Sequence, residues 1–562
     1  MGEDLGEVLF RYALQNAVKY GDLPKPGTVL AKVMGTHPEL RPRAKEIAKL
    51  LPQAIARVEA IPADQRPATL ASLDPDLARE LSEVKGERKT GLPPLEGAEK
   101  GVVMRFAPNP SGPLHLGHAR AALLNDAYVR RYGGKFVLRI EDTDAKRVDP
   151  AAYDMVREDI EWLGLAVHDV VYQSDRLDLY YRYARKLIER GGAYLCTCEG
   201  DMFRELKLAK KACPCRQHTV EENLALWDAM LAGEYAEGTI TIRVKTDLSH
   251  ADPAMRDFSA FRIVSSPPHP RVDAIVFPLM NFSVAIDDHE LGITHVIRGK
   301  DHIANTVRQG YLFGYFGWRP PVYRHYGRMG IEGVVLSTSQ MHRGIDEGFY
   351  TGWDDIRLGT LRAIARRGIS AEAVRAAILE IGIGETDISF SWDNLYAKNR
   401  DLVDPVANRY SFVPDPVDLN IAGAPARTAQ ALLHPGDPSR GYRQLPFEGR
   451  ALVPRADLEG HTMIRLKDLF NITLSGSGST LSAAYTGDAL EDARKAKAPI
   501  IQWLPPGSAV PCVLRHPEGD MAGSCEAAVQ SEVGKVVQFE RVAFARIDAV
   551  TPAGVEAYFT HR

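Results

Sequence analysis

The chain lacks the features that mark membrane and secreted proteins. None of its 562 residues belongs to an apolar run of about 18 or more, so we expect no membrane-spanning helix. Its first residues, MGEDLGEVLF, are acidic and lack the charged and then apolar layout of a signal peptide. Six cysteines are few for this length, and without a signal peptide they indicate reduced thiols and a cytoplasmic location.

A strong net charge and internal repeats are absent as well. The chain carries 69 Lys and Arg against 73 Asp and Glu, a formal net charge of -4 at pH 7. This balance excludes a uniformly basic nucleic-acid-binding surface but leaves local basic faces open, because electrostatic binding depends on patches rather than totals. The 45% hydrophobic and 25% charged residues are ordinary for a globular protein, and the length predicts about three to five domains.

Changes of pattern along the chain predict where those domains lie. A helical pattern gives way to a Gly- and Pro-rich linker, then to strand–helix alternation, and finally to short alternating strands with frequent turns, which are typical of β-barrels. VVMRFAP, a helix and KFVLRI follow one another in βαβ order, the unit of a parallel sheet. We predict a helical domain at 1–92, the two halves of an α/β core at 101–195 and 271–345, an insertion at 196–270, a helical region at 346–402 and β-barrel domains at 403–562.

The segment PSGPLHLGHARAALLNDAYVRRYGG places His115 and His118 in the first turn of a predicted helix. A helix N-terminus presents unpaired N–H groups and the positive end of the helix dipole, which suit phosphate. Gly112 and Gly117 let a ligand approach the backbone, and the imidazoles can donate hydrogen bonds to phosphate oxygens. The strand–loop–helix context predicts nucleotide binding, against the alternative of a Gly- and Pro-rich loop with two surface histidines.

RFAPNPSGPLHLGH, followed by LRIEDTD, closely resembles the glutamyl-tRNA synthetases, class I enzymes whose HIGH signature is written here as His115-Leu116-Gly117-His118. The resemblance covers nearly the whole chain and includes AIDDHELGITHVIRGKDH and LSTS. LYAKNRDLVDPVANRYSFV, GYRQLPFEGRALVPR and IIQWLPPG with VGKVVQFERVAFARID are similar to the archaeal type, whose β-barrel anticodon domains are shared with the glutaminyl enzymes.

This resemblance implies a multidomain fold and a reaction. The fold would combine an α/β Rossmann-type class I catalytic core, a helical N-terminal domain and all-β anticodon-binding barrels. The reaction would use ATP, as its Mg²⁺ complex, to convert L-glutamate into glutamyl-adenylate, and would then transfer the glutamyl group to the 3′ end of tRNA-Glu, with tRNA-Gln as a further candidate acceptor.

The resemblance also assigns an ATP site. The residues implied to bind ATP are Pro108, Asn109, Pro110, Gly112, His115, Gly117, His118, Leu336 and Thr338, and those implied in catalysis are His115, His118, Ser337 and Ser339. The family's KMSKS loop is here VVLSTSQMHRGI, with Val335 and Thr338 where two lysines would stand. Charge on the phosphates would then be balanced by Mg²⁺ and by Arg343 or Arg328.

Recognition of glutamate requires an acid for the amino group and cations for the carboxylates. The residues implied by the resemblance are Arg105, Ala107, Asn109, Glu141, Asn281 and Arg298. An arginine suits a carboxylate because its planar fork binds both oxygens and stays charged. Met280 departs from the pattern, since many relatives carry a tyrosine there. The alternative for Arg105 and Arg298 is structural pairing with Asp142, Asp144 or Asp287.

Four of the six cysteines lie in one short segment, CTCEGDMFRELKLAKKACPCRQH. They are Cys196, Cys198, Cys213 and Cys215, with His218 as a further candidate ligand. Four such donors can close a tetrahedral structural Zn²⁺ site, and we predict one here. The alternatives are unligated thiols and, less favoured in a reducing compartment, a disulfide.

Basic runs and the resemblance together predict tRNA contacts, and we expect a monomer. The runs contain Arg357, Arg362, Arg366, Arg367, Lys398, Arg400 and Arg409. Each run taken alone is typical of a solvated face. Two alternative functions remain: a glutaminyl-tRNA synthetase and a non-catalytic tRNA-binding paralogue. A small HxGH nucleotidyltransferase does not fit a chain of this length.

Overall fold

The computed structural model describes residues 4–24, 26–37, 43–78, 92–476 and 482–562. The chain divides into two compact units, Met1–Gly91 and Leu92–Arg562. Within the described ranges, each helix is too short or too polar to cross a membrane.

The helices are numbered in chain order. They are α1 (Leu5–Tyr20), α2 (Pro26–Thr36), α3 (Ala44–Glu59), α4 (Arg66–Leu73), α5 (Leu116–Tyr132), α6 (Ala152–Trp162), α7 (Leu177–Glu189), α8 (Gly200–Leu208), α9 (Val220–Leu231), α10 (Met280–Glu290), α11 (Ile303–Phe316), α12 (Thr338–Asp346), α13 (Leu361–Arg366), α14 (Ala371–Ile381), α15 (Trp392–Val403) and α16 (Leu490–Lys495).

The strands are numbered in the same way. They are β1 (Val102–Phe106), β2 (Gly134–Ile140), β3 (Asp169–Tyr172), β4 (Ala193–Cys196), β5 (Thr241–Val244), β6 (Ser259–Ile263), β7 (Val276–Pro278), β8 (His295–Gly299), β9 (Val322–Tyr326), β10 (Met329–Ile331), β11 (Ile388–Phe390), β12 (Arg409–Tyr410), β13 (Phe412–Pro414), β14 (Pro416–Ala422), β15 (Arg427–Leu432), β16 (Tyr442–Phe447), β17 (Arg450–Pro454), β18 (Met463–Leu466), β19 (Asn471–Ser475), β20 (Ser482–Gly487), β21 (Ile500–Ile501), β22 (Ala509–Arg515), β23 (Met521–Glu526), β24 (Val536–Phe539), β25 (Ala543–Thr551) and β26 (Gly554–His561).

The first unit is helical, as the sequence predicts. Its helix α1 begins where the Asp4 carboxylate accepts a hydrogen bond from the Gly6 N–H, and it ends at Gly21, whose φ of 79° suits glycine. Apolar residues from its helices share one core, in which Leu9 and Val33 are fully buried.

The α/β core of the second unit contains parallel strands, also as predicted. β1, β2 and β3 form one parallel sheet, and β8 pairs with β9 in parallel. The Val103 N–H donates to Thr294 Oγ1 (2.9 Å), and the Thr294 N–H donates to the Val103 carbonyl (2.9 Å). These bonds hold β8 beside β1, so the spatial order is β3-β2-β1-β8-β9. Helices α5, α14 and α15 contribute apolar side chains to its core.

The insertion combines strands with helices, whereas the C-terminal region consists mainly of strands. β4–β7 form an antiparallel sheet whose core includes side chains from α7 and α9. In the C-terminal region, β12 and β13 are the two ends of a seven-stranded sheet and follow one another in the chain, so the sheet curves like a barrel. Strands β14–β21 lie between β13 and β22 in the chain and enclose a separate apolar core. The predicted barrels are confirmed, and one is inserted into the other.

Candidate active site

A cavity of about 610 Å³ opens where the strands of the α/β core end. Arg105 comes from the end of β1, Glu141 directly follows β2, and Arg298 lies at the end of β8. Ligands in open α/β sheets bind at this edge, because the strand ends and helix N-termini meet there.

The cavity brings together most of the residues that the sequence identified. Those that line it are Arg105, Ala107, Pro108, Asn109, His115, Gly117, His118, Glu141, Arg298 and Leu336. Pro110, Gly112, Asn281, Ser337, Thr338 and Ser339 lie outside the lining. Gly112 and Thr338 nevertheless bring their two loops into contact, since a Cβ added to Gly112 would lie 2.8 Å from Thr338 Cγ2. The LSTS loop therefore packs directly on the loop that precedes the histidines.

The two histidines are held as a stacked pair. Their ring centroids lie 3.8 Å apart with an interplanar angle of 20°. His115 Nδ1 accepts a hydrogen bond from the Gly117 N–H (3.1 Å), and His118 Nδ1 accepts one from the His115 N–H (3.4 Å). A backbone N–H can donate only to an unprotonated nitrogen, so each neutral ring carries its proton on Nε2. Neither Nε2–H group donates to another of the described residues, so both are available to a ligand.

Burial makes both histidines neutral at physiological pH. It lowers the pKa of His118 to about 4, and burial with the neighbouring His118 ring lowers the pKa of His115 well below its usual range. The pair would act on phosphate as neutral hydrogen-bond donors rather than as cations.

These shifts predict how stability depends on pH. A histidine with a lowered folded-state pKa contributes stability that is complete above its unfolded pKa of about 6.5 and is lost as the pH falls toward its folded pKa. We expect the free energy of unfolding, measured with denaturant between about pH 7 and pH 4.5, to fall less steeply in His118→Gln than in the wild type. Equal slopes would show that His118 is not buried neutral.

A buried charge network surrounds the amino-acid end of the cavity. Asp288 pairs with Arg105 (3.3 Å) and with Arg139 (2.7 Å). Arg139 also contacts Glu141 (3.0 Å) and Asp287. The carboxylates of Glu141, Asp287 and Asp288 thus compensate the charges of the arginines beside them. Arg176 also belongs to the network, because it pairs with Asp287. Arg105 thus has the structural ion pair that the sequence left as an alternative, although its partner is Asp288.

Arg298 differs from the other arginines of this network. It is 8% exposed, yet in the described part of the chain no carboxylate lies within 4.0 Å of its guanidinium. Its Nη2 donates to Thr306 Oγ1 (2.6 Å) and Gln309 Oε1 (2.9 Å), both uncharged. Burial and the charge of Arg105 lower the pKa of Arg298 to about 10, so it remains cationic at pH 7. A positive charge is therefore left for an anionic ligand.

Several lining residues are not among the predicted site residues. Met280 lines the cavity and the predicted Asn281 does not, and Asp301 and His302 line it as well. Arg120 lines it but donates to the carbonyls of Gly327 and Gly382, an arrangement that only the fold reveals.

Of the two cations proposed for the phosphates, Arg328 lines the cavity, whereas Arg343 is exposed outside it. Arg328 is thus the better placed cation.

Ser337 and Ser339 of the LSTS loop lie beside each other, with their hydroxyl oxygens 3.1 Å apart.

The cysteine cluster forms as the sequence predicts. The Sγ atoms of Cys196, Cys198, Cys213 and Cys215 lie within 4.8 Å of one another. β4 ends at Cys196, and α8 separates the two C-x-C pairs. His218 lies outside this group. The four sulfur atoms match the donor set of a tetrahedral zinc site.

The predicted tRNA-contacting residues all have intramolecular partners. Arg367 is buried and donates to the carbonyls of Phe559 and Thr560. The other contacts are Arg357–Asp355, Arg362–Glu158, Arg366–Asp354, Lys398–Glu380, Arg400 to the Arg562 carbonyl, and Arg409–Asp404. Their role in binding tRNA stays a prediction, and Arg367 acts in packing the helical region against β26.

Family comparison is consistent with this geometry. The family described as tRNA synthetases class I (E and Q), catalytic domain, matches residues 101–405, which contain the whole cavity. The chain belongs to this family. The corresponding anticodon-binding domain matches residues 407–485 of this class I synthetase.

Curated relatives match it from end to end. A glutamate–tRNA ligase of Methanoculleus marisnigri is 65% identical and covers 100% of both chains. Those of Methanocorpusculum labreanum (60%) and Methanocaldococcus jannaschii (46%) cover 100% and 99% of this synthetase, and 99% and 100% of their own lengths.

Proposed function

We propose that this synthetase is a glutamate–tRNA ligase. It converts L-glutamate and ATP into glutamyl-adenylate and pyrophosphate, and then transfers the glutamyl group to the 3′ end of tRNA-Glu. The observation that carries the proposal is the cationic Arg298, which shares one cavity with the stacked histidines and has no acidic partner among the described residues. The names of its full-length relatives support the same activity.

Glutamate and glutamine differ in the net charge that they add to the cavity. Arg298 and the ion-pair network beside it together contain four arginines and three carboxylates, namely Arg105, Arg139, Arg176 and Arg298 with Glu141, Asp287 and Asp288. A glutamate carries one net negative charge and balances the excess arginine. Glutamine carries none, so it would leave a desolvated guanidinium without a counterion.

The first step is an in-line displacement. A carboxylate oxygen of glutamate attacks the α-phosphorus of ATP, a phosphorus–oxygen bond forms, and pyrophosphate leaves with the electron pair of the broken bond. A Mg²⁺ ion bound to ATP would neutralise part of the phosphate charge. The Nε2–H groups of His115 and His118 donate to oxygens on which charge builds, and Arg328 lies at the same cavity.

The second step regenerates the enzyme without a covalent intermediate. A hydroxyl of the terminal ribose of tRNA attacks the glutamyl carbonyl carbon of the adenylate and forms an ester bond. The bond from that carbon to the phosphate oxygen breaks, AMP leaves with its electron pair, and the hydroxyl proton is released. Catalysis here depends on positioning and on preorganised donors, because the reacting groups all belong to substrates.

ATP–pyrophosphate exchange with tRNA present tests the proposal, with glutamate and glutamine assayed side by side. We expect exchange with glutamate. Exchange with glutamine alone would identify a glutaminyl enzyme, and tRNA binding without exchange would identify a non-catalytic paralogue. Charging of purified tRNA-Glu and tRNA-Gln then shows whether both accept glutamate. We further propose that the enzyme is a cytoplasmic monomer. Size-exclusion chromatography with light scattering tests the monomer by its molar mass, and cell fractionation tests the location.

We also propose that the cysteine cluster holds a structural Zn²⁺, supported by its four convergent Sγ atoms. The purified protein should contain about one zinc per chain, and Cys213→Ser should reduce it to near zero with a lower melting temperature. Cys512→Ser, which changes a buried cysteine outside the cluster, should keep the metal. A wild-type protein without zinc, grown and purified without chelator, would contradict the proposal.

A further inference from the structure

Both hydrogen bonds that Arg298 donates go to uncharged groups of one helix, and the Tyr323 ring of β9 lies 5.1 Å from its Cζ atom. Thr306 and Gln309 lie three residues apart on α11, so their side chains reach the same guanidinium nitrogen. Gln309 is fully buried, and its position in the fold is therefore fixed by packing.

The orientation of the Gln309 amide follows from its partners. An arginine offers only donors, so the amide oxygen must face Arg298. The amide nitrogen then points to the Met280 sulfur, 3.9 Å away, which is a weak acceptor. Met280, which also lines the cavity, is an acceptor on the side of the amide nitrogen and therefore favours the same orientation of the amide.

We propose that Gln309 is a specificity-determining positioning residue. Its neutral oxygen fixes the Arg298 fork without neutralising it, and the charge stays available for the side-chain carboxylate of glutamate. This inference rests on the proposed function and deepens it. Gln309 itself does not line the cavity, so it acts through Arg298.

The neighbouring arginines show what the alternative would be. Arg105 and Arg139 are each held by Asp288, so each has a carboxylate that compensates its charge. A carboxylate at position 309 would do the same to Arg298, at almost unchanged volume. A site built only for rigidity would favour that acid, because charge-assisted hydrogen bonds are the stronger ones.

Two substitutions separate charge from packing. Gln309→Glu keeps the shape and an acceptor but adds a negative charge, whereas Gln309→Met removes the acceptor and stays neutral. In tRNA-dependent ATP–pyrophosphate exchange, Gln309→Glu should raise KM for glutamate about ten- to a hundredfold, with KM for ATP within about twofold of wild type. Gln309→Glu should also lower the preference for glutamate over glutamine by about the same factor. Gln309→Met should change KM for glutamate and this preference less than Gln309→Glu does.

The order of severity decides the outcome. A merely structural role predicts that Gln309→Met is the worse variant, so that order, or a Gln309→Glu enzyme equal to wild type, would overturn the proposal. Gln53→Glu, an exposed change in the first unit, controls for added charge. If Gln309→Glu does not fold, Thr306→Asp and Thr306→Val provide the same comparison. A wild type without glutamate-dependent exchange would instead refute the function.

Discussion

Replacing Arg298 by glutamine is expected to lower kcat/KM for glutamate about a hundredfold to a thousandfold, and to do so mainly through KM. Removing one partner of a buried charge pair costs roughly 2–5 kcal/mol, because the other charge is left desolvated and unpaired. Here that other charge is the side-chain carboxylate of the substrate. Glutamine should lose far less, since its amide can bond to the new amide, and the ratio of the two kcat/KM values is the measurement that checks this.

The same variant separates binding from folding. Arg298 is buried with neutral partners only, so its charge adds a desolvation cost that no ion pair offsets within the described structure. Arg298→Gln should therefore unfold at the same or a higher denaturant concentration than wild type. Arg319→Gln, an exposed change elsewhere in the second unit, should alter neither quantity. Loss of stability together with an unchanged preference for glutamate would show that Arg298 is structural.

The sequence predicted the local parts of this site because their signals are neighbours in the chain. β1, the loop and the two histidines at the start of α5 occupy one continuous stretch, so periodicity and turn residues suffice to place them. The proposed role of Arg298 as a ligand rests on the family motif, since its residue type alone favours a salt bridge. The two arginines differ in their partners, because Arg105 has an acidic one and Arg298 has neutral ones.

Long-range pairing explains what the sequence did not predict. Strand β12 pairs in parallel with β24, although the strands β14–β21 of the other barrel lie between them in the chain. One barrel is therefore inserted into the other. Arg366 forms an ion pair with Asp548, which is far away in the chain, so part of a basic run that indicates a tRNA surface makes internal contacts. Gln309 gave no signal at all, because a neutral residue in an amphipathic helix has nothing to distinguish it until its partner is known.

The histidine pair leads to the second large effect, which depends on the tautomer. His118 is the third residue of α5, and its Nδ1 accepts from the His115 N–H, so the ring serves both the helix start and the cavity. A glutamine at this position can do both as well, because its oxygen can accept that N–H while its amide nitrogen donates to phosphate. A glutamate can accept the N–H but presents only acceptors to the phosphate.

We therefore expect His118→Ala to lower kcat about a hundredfold to a thousandfold, the usual cost of one transition-state donor, with KM for ATP changing much less. His118→Gln should recover part of that loss, and His118→Glu should be at least as inactive as His118→Ala. Single-turnover formation of glutamyl-adenylate measures these rates.

Burial keeps the pKa of His118 at about 4, so this histidine is neutral throughout the range from about pH 6 to pH 8. Its titration should therefore not lower kcat of the wild type in that range. A loss of rate with rising pH in that range, abolished in His118→Gln, would show instead that the imidazolium is the active form.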